Sequence, residues 1–484
     1  VATDDVFDVI VLGAGPVGET AARRAVQGGL TAAVVERRLV GGECNYYGCI
    51  PSKALLLPME LAGEVGRMPG LALDGPIDAA AVEVRRDTFV GHYQDGPQVS
   101  WVEKLPAAFL RGQGRLVGPR RVQVTGPDGE VRDLEARHAV VLATGSDPVI
   151  PDVPGLKDAH PWTNREATSV TKVPRRLVVI GGGPVACEMS QALRSLGTEE
   201  ITLLVRDPRL LARHEPFAGE LLATSFEKSG IRVRFGRSAL RVQRAAPDAP
   251  VSVDVDDGSA LEADEILVAT GRRLNTHDIG LSTVGLEDSG RVDVDDAMRA
   301  KGVDGGWLYA VGDVNGRNLL THMGKYQARV CAAVIVARAG ALPEDGLAVG
   351  DIADGLGAPQ AIFTDPQVIA VGCTEATARA DGFPVRTVER DIGAVVGAAL
   401  QGDGYTGRAK IVVDEDRRVL LGVTFVGPGI VDHLHAATVA LTGRCRSSAC
   451  GTPCPRSPPP ARSGWTCWRR TVSDTPARRR ERQR

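Results

Sequence analysis

Apolar positions along this chain gather into short runs that stop at glycine turns. In FDVIVLGAGPVGETAARRAVQGGLTAAVVERR, residues 7–38, an apolar run turns at Gly13, Gly15 and Gly18, passes into a helical stretch and ends in a second apolar run closing at Glu36. Short apolar runs bounded by turns predict buried strands, so the segment reads as strand, helix, strand. The pattern recurs in RRLVVIGGGPVACEMSQALRSLGTEEITLLVR, residues 175–206. After residue 442 the periodicity ends. GRCRSSACGTPCPRSPPPARSGWTCWRRTVSDTPARRRERQR has neither helical nor strand spacing and is rich in arginine and proline, a composition expected of a disordered tail.

The two strand–helix–strand segments carry glycines where a dinucleotide needs them. They allow a tight turn and close approach of a pyrophosphate to a helix N-terminus, and Glu36, about 20 residues on, suits a ribose hydroxyl. In the second segment Gly181, Gly183 and Ala186 fill the glycine positions, while the second strand closes on Val205 and Arg206 instead of an acid, with Arg213 beyond. An arginine there suits a 2′-phosphate, which favours NADPH over NADH. Two further stretches, VLATGSDPVIP at 141–151 with Thr144 and Gly145, and LVATGRRLNT at 267–276 with Gly271, read as crossings between nucleotide domains. LYAVGDVNG at 308–316 sets Gly312 and Asp313 at a strand end, where a carboxylate can accept hydrogen bonds from a polyol chain.

Composition narrows the partners. The 484 residues are 43% hydrophobic and 24% charged with a net charge of −3, so several domains have enough apolar residues for buried cores and nothing favours nucleic acid. No signal-peptide pattern or apolar run of transmembrane length occurs, which makes the cytoplasm the expected compartment and small molecules the expected partners. Nine cysteines there argue against a disulfide scaffold. The pair in GGECNYYGCIPSKALL, residues 41–56, has only Cys187 as another cysteine in the first two hundred residues, so a metal site is disfavoured. A dithiol at the start of a helix near Cys49, with a cation nearby to stabilise a thiolate, is favoured over metal and over a structural disulfide.

Together these motifs resemble, in order and over residues 6 to about 442, the flavin-dependent pyridine nucleotide disulfide oxidoreductases, a family that includes lipoamide dehydrogenase, glutathione reductase and mercuric reductase. The resemblance implies an α/β fold with two Rossmann-like domains and an α+β C-terminal dimerisation domain. It implies FAD on Gly13, Gly15, Gly18, Glu36 and Asp313, a nicotinamide cofactor on the second unit, and a homodimer. Cys49 resembles the thiol facing the flavin, Cys44 the thiol that exchanges with substrate, Lys53 the lysine beside the flavin and Glu188 its carboxylate partner. The boundaries expected are 1–150 and 272–345 for FAD, 151–271 for NAD(P), 346–442 for the interface and 443–484 for the aberrant tail. GCIPSK makes lipoamide dehydrogenase the nearest motif match; reduction of quinones, oxygen or a metal ion is the second reading, and a chain that binds FAD but is defective the third.

A frameshift would explain the tail. Reading one base earlier in a GC-rich gene converts CRSSACGTPCP into Val-Pro-Leu-Glu-Arg-Leu-Trp-His-Ala-Val-Pro, which resembles the missing end of the family. In neither frame does a histidine stand immediately before the expected Pro-Thr, so the acid–base group that disulfide-reducing relatives use is not found there, and dithiol turnover is expected to suffer.

Overall fold

The apolar runs before each glycine turn become central strands. The structure is a computed structural model that describes residues 5–340 and 357–445, within which the chain forms two units. Val1–Leu55, Ala79–Lys172 and Leu267–Asp354 make up the first, and Leu56–Asp78, Val173–Ile266 and Gly355–Arg484 the second, each as far as its described residues go. Most of the segment expected to form a disordered tail, from residue 446 onward, lies outside the described residues.

A seven-stranded sheet organises the first unit. Its order is β3 (Ala107–Arg111), β2 (Ala32–Glu36), β1 (Val6–Leu12), β6 (Val131–Leu142), β5 (Arg121–Thr125) and β4 (Gln113–Gly118), with β16 (Leu308–Ala310) also pairing with β6. Strands β3, β2, β1, β6 and β16 pair in parallel, whereas β4 and β5 extend the sheet antiparallel. The course of β6 records the change: its first eight residues are exposed except for Leu134 and Ala136, and its last four, lying between parallel neighbours, are all buried. Helix α1 (Pro16–Gln27) buries Ala21, Ala22 and Ala25, and α9 (Thr321–Arg338) packs against it. Gly324 makes room for that packing, since a Cβ there would lie 2.6 Å from Val17 Cγ2. The same unit holds α2 (Gly42–Tyr46), the start of α3 (Cys49–Arg67), α4 (Ala79–Phe89), α5 (Gly96–Glu103), α6 (Asn164–Thr168) and a two-stranded ribbon of β7 (Ser146–Pro148) with β15 (Arg272–Leu274).

In the second unit a four-stranded sheet runs β10 (Ile231–Phe235), β9 (Glu200–Val205), β8 (Arg176–Ile180) and β14 (Glu265–Val268), with α7 (Pro184–Ser195) and α8 (Pro216–Lys228). A meander of β11 (Ala239–Arg244), β12 (Val251–Val255) and β13 (Ala260–Ala263) follows α8 and β10 in sequence. The unit's other sheet is antiparallel, in the order β17 (Gln360–Ile362), β18 (Gln367–Gly372), β21 (Val419–Gly427), β20 (Arg408–Asp414) and β19 (Val385–Asp391), with α10 (Glu375–Ala380), α11 (Val396–Ala399) and α12 (His433–Thr442). Ile369, Ile411, Val423 and Phe425 form its core. Lys410 on β20 is buried, and its ammonium donates at 2.8 Å to both Glu215, just before α8, and Glu375 on α10. Two carboxylates around one ammonium offset the desolvation that a lone buried charge would suffer.

Candidate functional site

The β1–α1–β2 segment forms a pyrophosphate-sized turn. Gly13 adopts a left-handed φ of +104°, and a Cβ there would sit 2.4 Å from the Ala143 carbonyl oxygen; one on Gly18 would sit 1.9 Å from the Gly13 carbonyl oxygen. Only glycine permits this approach. Gly15 caps α1, leaving the first N–H groups of the helix directed at the turn. Glu36 ends β2 and accepts from Ala14 N at 2.8 Å and Arg38 N at 2.7 Å, which fixes its carboxylate beside the turn while leaving lone pairs for ribose hydroxyls.

The two Ala-Thr-Gly stretches meet in the same unit. Thr144 Oγ1 donates to Asn275 O at 2.7 Å, Asn275 N to Gly145 O at 2.9 Å, and Val149 N to Gly271 O at 3.0 Å. Next to this ribbon, Ser146 Oγ donates to Asp313 Oδ2 at 2.5 Å, and Arg272 Nε stands 3.9 Å from the same carboxylate oxygen. Burial pushes the Asp313 carboxyl up, against the opposing pull of Ser146 and Arg272. Gly312, at φ +76°, holds the preceding turn through a bond from its N–H to Gln327 Oε1 at 2.8 Å. A glycine turn without side chains, an acid at the second strand end and a half-buried acid in the third segment fit an extended dinucleotide cofactor such as FAD.

The second unit repeats the turn between β8 and α7. Gly181 has φ +132°, Gly183 caps α7, and Ala186 is buried. Arg206 and Arg213 are both exposed after β9. Glu188 on α7 is 7% exposed, and its Oε1 accepts from Phe363 N at 2.9 Å. Lys53 belongs to the first unit, where its Nζ donates to Ser52 Oγ at 3.2 Å.

Cys44 lies in α2, and Cys49 opens α3; both are free thiols. The Cys49 thiol is held down to about 6, first by the hydrogen bond it receives from Cys44, then by Thr321 and the nearby Lys53 charge, with burial opposing. Cys44, the donor of that bond and itself shielded from water, is pushed up. The two shifts run in opposite directions, which favours the negative charge on Cys49 over Cys44. Cys49 Sγ is 3.4 Å from the hydroxyl of Thr321, the first residue of the 18-residue helix α9, whose N-terminus also favours an anion. Sequence reasoning missed Thr321; its position eight residues beyond Asp313 is the only local signal. Replacing it with valine is expected to raise the midpoint of Cys49 ionisation by roughly one pH unit, the effect of losing one hydrogen bond to a charged group. The pH dependence of iodoacetamide alkylation of the reduced protein would measure this.

Beside the dithiol segment, Glu19, Asn45, Pro97, Gln98 and Trp101 line a cavity of about 210 Å³. Burial pushes the Glu19 carboxyl up to about 7, despite Lys325 and Arg23 nearby. Among the described residues, no helix is long and apolar enough to cross a membrane, and no group of three or more His, Cys, Asp or Glu side chains is arranged to hold a metal.

Residues 7–335 match the pyridine nucleotide-disulphide oxidoreductase family, and residues 358–462 match its dimerisation domain, which reaches past Gly443 where the sequence pattern changes. A dihydrolipoyl dehydrogenase of Chlamydia muridarum is 30% identical over 90% of this chain and 91% of its own length. Another from Thermus scotoductus is 32% identical over 90% and 91%, and a mercuric reductase of Staphylococcus aureus is 29% identical over 90% and 77%. The solved Cu(II) complex of the HOCl-induced flavoprotein disulfide reductase RclA from Escherichia coli has a TM-score of 0.81 at 20% identity, covering 96% of this chain and 98% of that one, and so shares the fold. With the family matching residues 7–335, its dimerisation domain matching 358–462 and relatives matching across nine-tenths of its length, the chain belongs to the class I pyridine nucleotide-disulphide oxidoreductase family.

Proposed function

We propose that this protein is an FAD-dependent NAD(P)H disulfide oxidoreductase of the dihydrolipoyl dehydrogenase type, working as a cytoplasmic homodimer on a small or protein-bound disulfide. In this reading residues 1–150 and 272–345 hold FAD, through Gly13, Gly15, Gly18, Glu36, Thr144, Gly145, Gly312 and Asp313, with Gly271 at the crossing between the two cofactor domains. Residues 151–271 hold the nicotinamide cofactor, through Gly181, Gly183, Ala186 and Arg206, and residues 346–442 form the interface. When bound, FAD supplies the two-electron relay between reduced nicotinamide and the dithiol.

The observation that carries the proposal is the unequal thiol pair, with Cys49 stabilised as thiolate by Cys44, Thr321 and Lys53. Cys44 is assigned as the thiol that exchanges with substrate, attacking once its proton has passed to solvent, and Cys49 as the thiol that carries the charge at the N-terminus of α9. Lys53 supplies a cation that limits the cost of that charge. A substrate disulfide reduced by this pair gains two electrons from it and two protons, one released by Cys44 and one taken from solvent, and Cys44 and Cys49 are left joined by a disulfide bond.

Anaerobic titration of the yellow holoenzyme with one equivalent of NADPH tests the reading. A long-wavelength thiolate-to-flavin absorbance band is expected; simple bleaching would sink the dithiol route and leave quinones, oxygen or a metal ion as acceptors, the reading that similarity to mercuric reductases favours. NADPH is expected to outperform NADH in kcat/KM, and Arg206→Gln to reduce that preference by about tenfold, as loss of one charged phosphate contact would.

A further inference from the structure

The segment between the two cysteines cannot hold its own shape. Helix α2 has five residues, well below the length at which a helix is stable alone. It is entered through Gly41 and Gly42, with left-handed φ values of +110° and +57°, and a Cβ on Gly42 would lie 2.9 Å from Gly15 Cα. Something outside α2 must fix Cys44, and the residue immediately before Cys44 makes that connection.

Glu43 Oε1 accepts from Arg165 Nε at 2.6 Å, and Glu43 Oε2 accepts from Asn164 Nδ2 at 3.0 Å. Asn164 Nδ2 also donates to Tyr47 O at 2.7 Å, so one amide clips both ends of α2 to α6. The Arg165 guanidinium lies over the Tyr47 ring, 5.6 Å from its centroid, and Tyr47 stacks on Tyr93 at 5.7 Å. Helix α6 is itself fixed by a capping box of Thr163 and Glu166. Arg165 also donates to Asp147 at 2.9 Å, while Arg272 Nη2 stands 3.6 Å from Glu43 and donates to the Ser146 carbonyl at 2.6 Å. The side chains of Glu43 and Arg165 are only 26% and 27% exposed, which keeps water from competing fully for these charge-assisted bonds.

We propose that Glu43, clamped by Arg165 and Asn164, is a positioning residue that holds Cys44 within bonding reach of Cys49 and thereby sets the reduction potential of the pair. This inference rests on the reading of Cys44 and Cys49 as a redox couple. When the pair oxidises, two thiols lose two electrons and two protons as one S–S bond forms. Against dithiothreitol the electrons and protons pass to the reagent's cyclic disulfide, which becomes the open dithiol. The equilibrium constant therefore reports the effective concentration of one thiol at the other, and a loosened α2 lowers it.

The holoenzyme would be equilibrated with graded ratios of reduced to oxidised dithiothreitol, quenched by alkylation, and the state of Cys44 and Cys49 read by mass spectrometry. Glu43→Ala and Arg165→Ala are each expected to shift the equilibrium at least tenfold toward the dithiol, a rise of about 30 mV for a two-electron couple. The double variant should shift it no further than the larger single shift, because both break one clamp. Glu43→Gln, which retains an acceptor for the clamp, should shift it less than Glu43→Ala. Arg244→Ala, which removes the 2.7 Å ion pair with Glu265 in the other unit, is the control for lost stability and should leave the potential unchanged. Unaltered potentials in Glu43→Ala, or additive shifts in the double variant, would overturn the clamp. A wild-type protein that forms no Cys44–Cys49 disulfide at any ratio would instead overturn the redox reading beneath it.

Discussion

Serine in place of Cys49 is expected to lower NAD(P)H-dependent disulfide turnover on the order of 10⁴-fold or more, because the two thiols act as a unit and a hydroxyl cannot form the S–S bond. FAD content should be unchanged; absorbance of the purified protein would check this alongside a lipoamide assay. Cys44→Ser should be as severe in turnover but differ in its thiol titration. The hydrogen bond from Cys44 is the leading reason that Cys49 ionises near 6, so the replacement hydroxyl is expected to retain part of that stabilisation, and Cys44→Ala none of it. Retention of a tenth of wild-type turnover by Cys49→Ser would mean that electrons leave the protein by a route other than the dithiol.

Gly18→Val should yield a colourless protein. Even the first added carbon would lie 1.9 Å from the Gly13 carbonyl oxygen and 3.3 Å from Ala143 Cβ, and Gly13 has no room to retreat because it already abuts the Ala143 carbonyl. Relief requires the turn to open, and overpacking of about 1–3 kcal/mol or more corresponds to about 100-fold weaker FAD binding at its upper end. Gly66→Ala is the matched control: it lies in α3 with open space around it, so FAD binding should be unaffected. Fluorimetric titration of the apoprotein with FAD distinguishes the two, and normal affinity in Gly18→Val would remove this turn from the cofactor site.

Much of the fold around the glycine turns was legible because its physics is local. The apolar runs of β1, β2, β8 and β9 lie beside the glycines they serve, and the left-handed turns at Gly13 and Gly181 are demanded by sterics within a few residues. The α/β class, both glycine turns and the start of a helix at Cys49 therefore followed from short stretches of sequence. Less legible was the acid at 313, whose chemistry depends on Ser146 and Arg272 arriving through the β7–β15 ribbon. The altered tail, read from composition, falls chiefly on residues 446–484, outside the described residues.

By itself, the sequence determined which segments turn, which strands are buried and which two cysteines share one short segment, since spacing and glycine content act over a handful of positions. Tertiary structure alone decided how those thiols divide one proton. Thr321 reaches Cys49 from 272 positions away, and Arg165 reaches Glu43 from 122. Such partners are set by how α9 and α6 pack in the folded unit, and a hydrogen bond acts only over about 3 Å of space, whatever the distance along the chain.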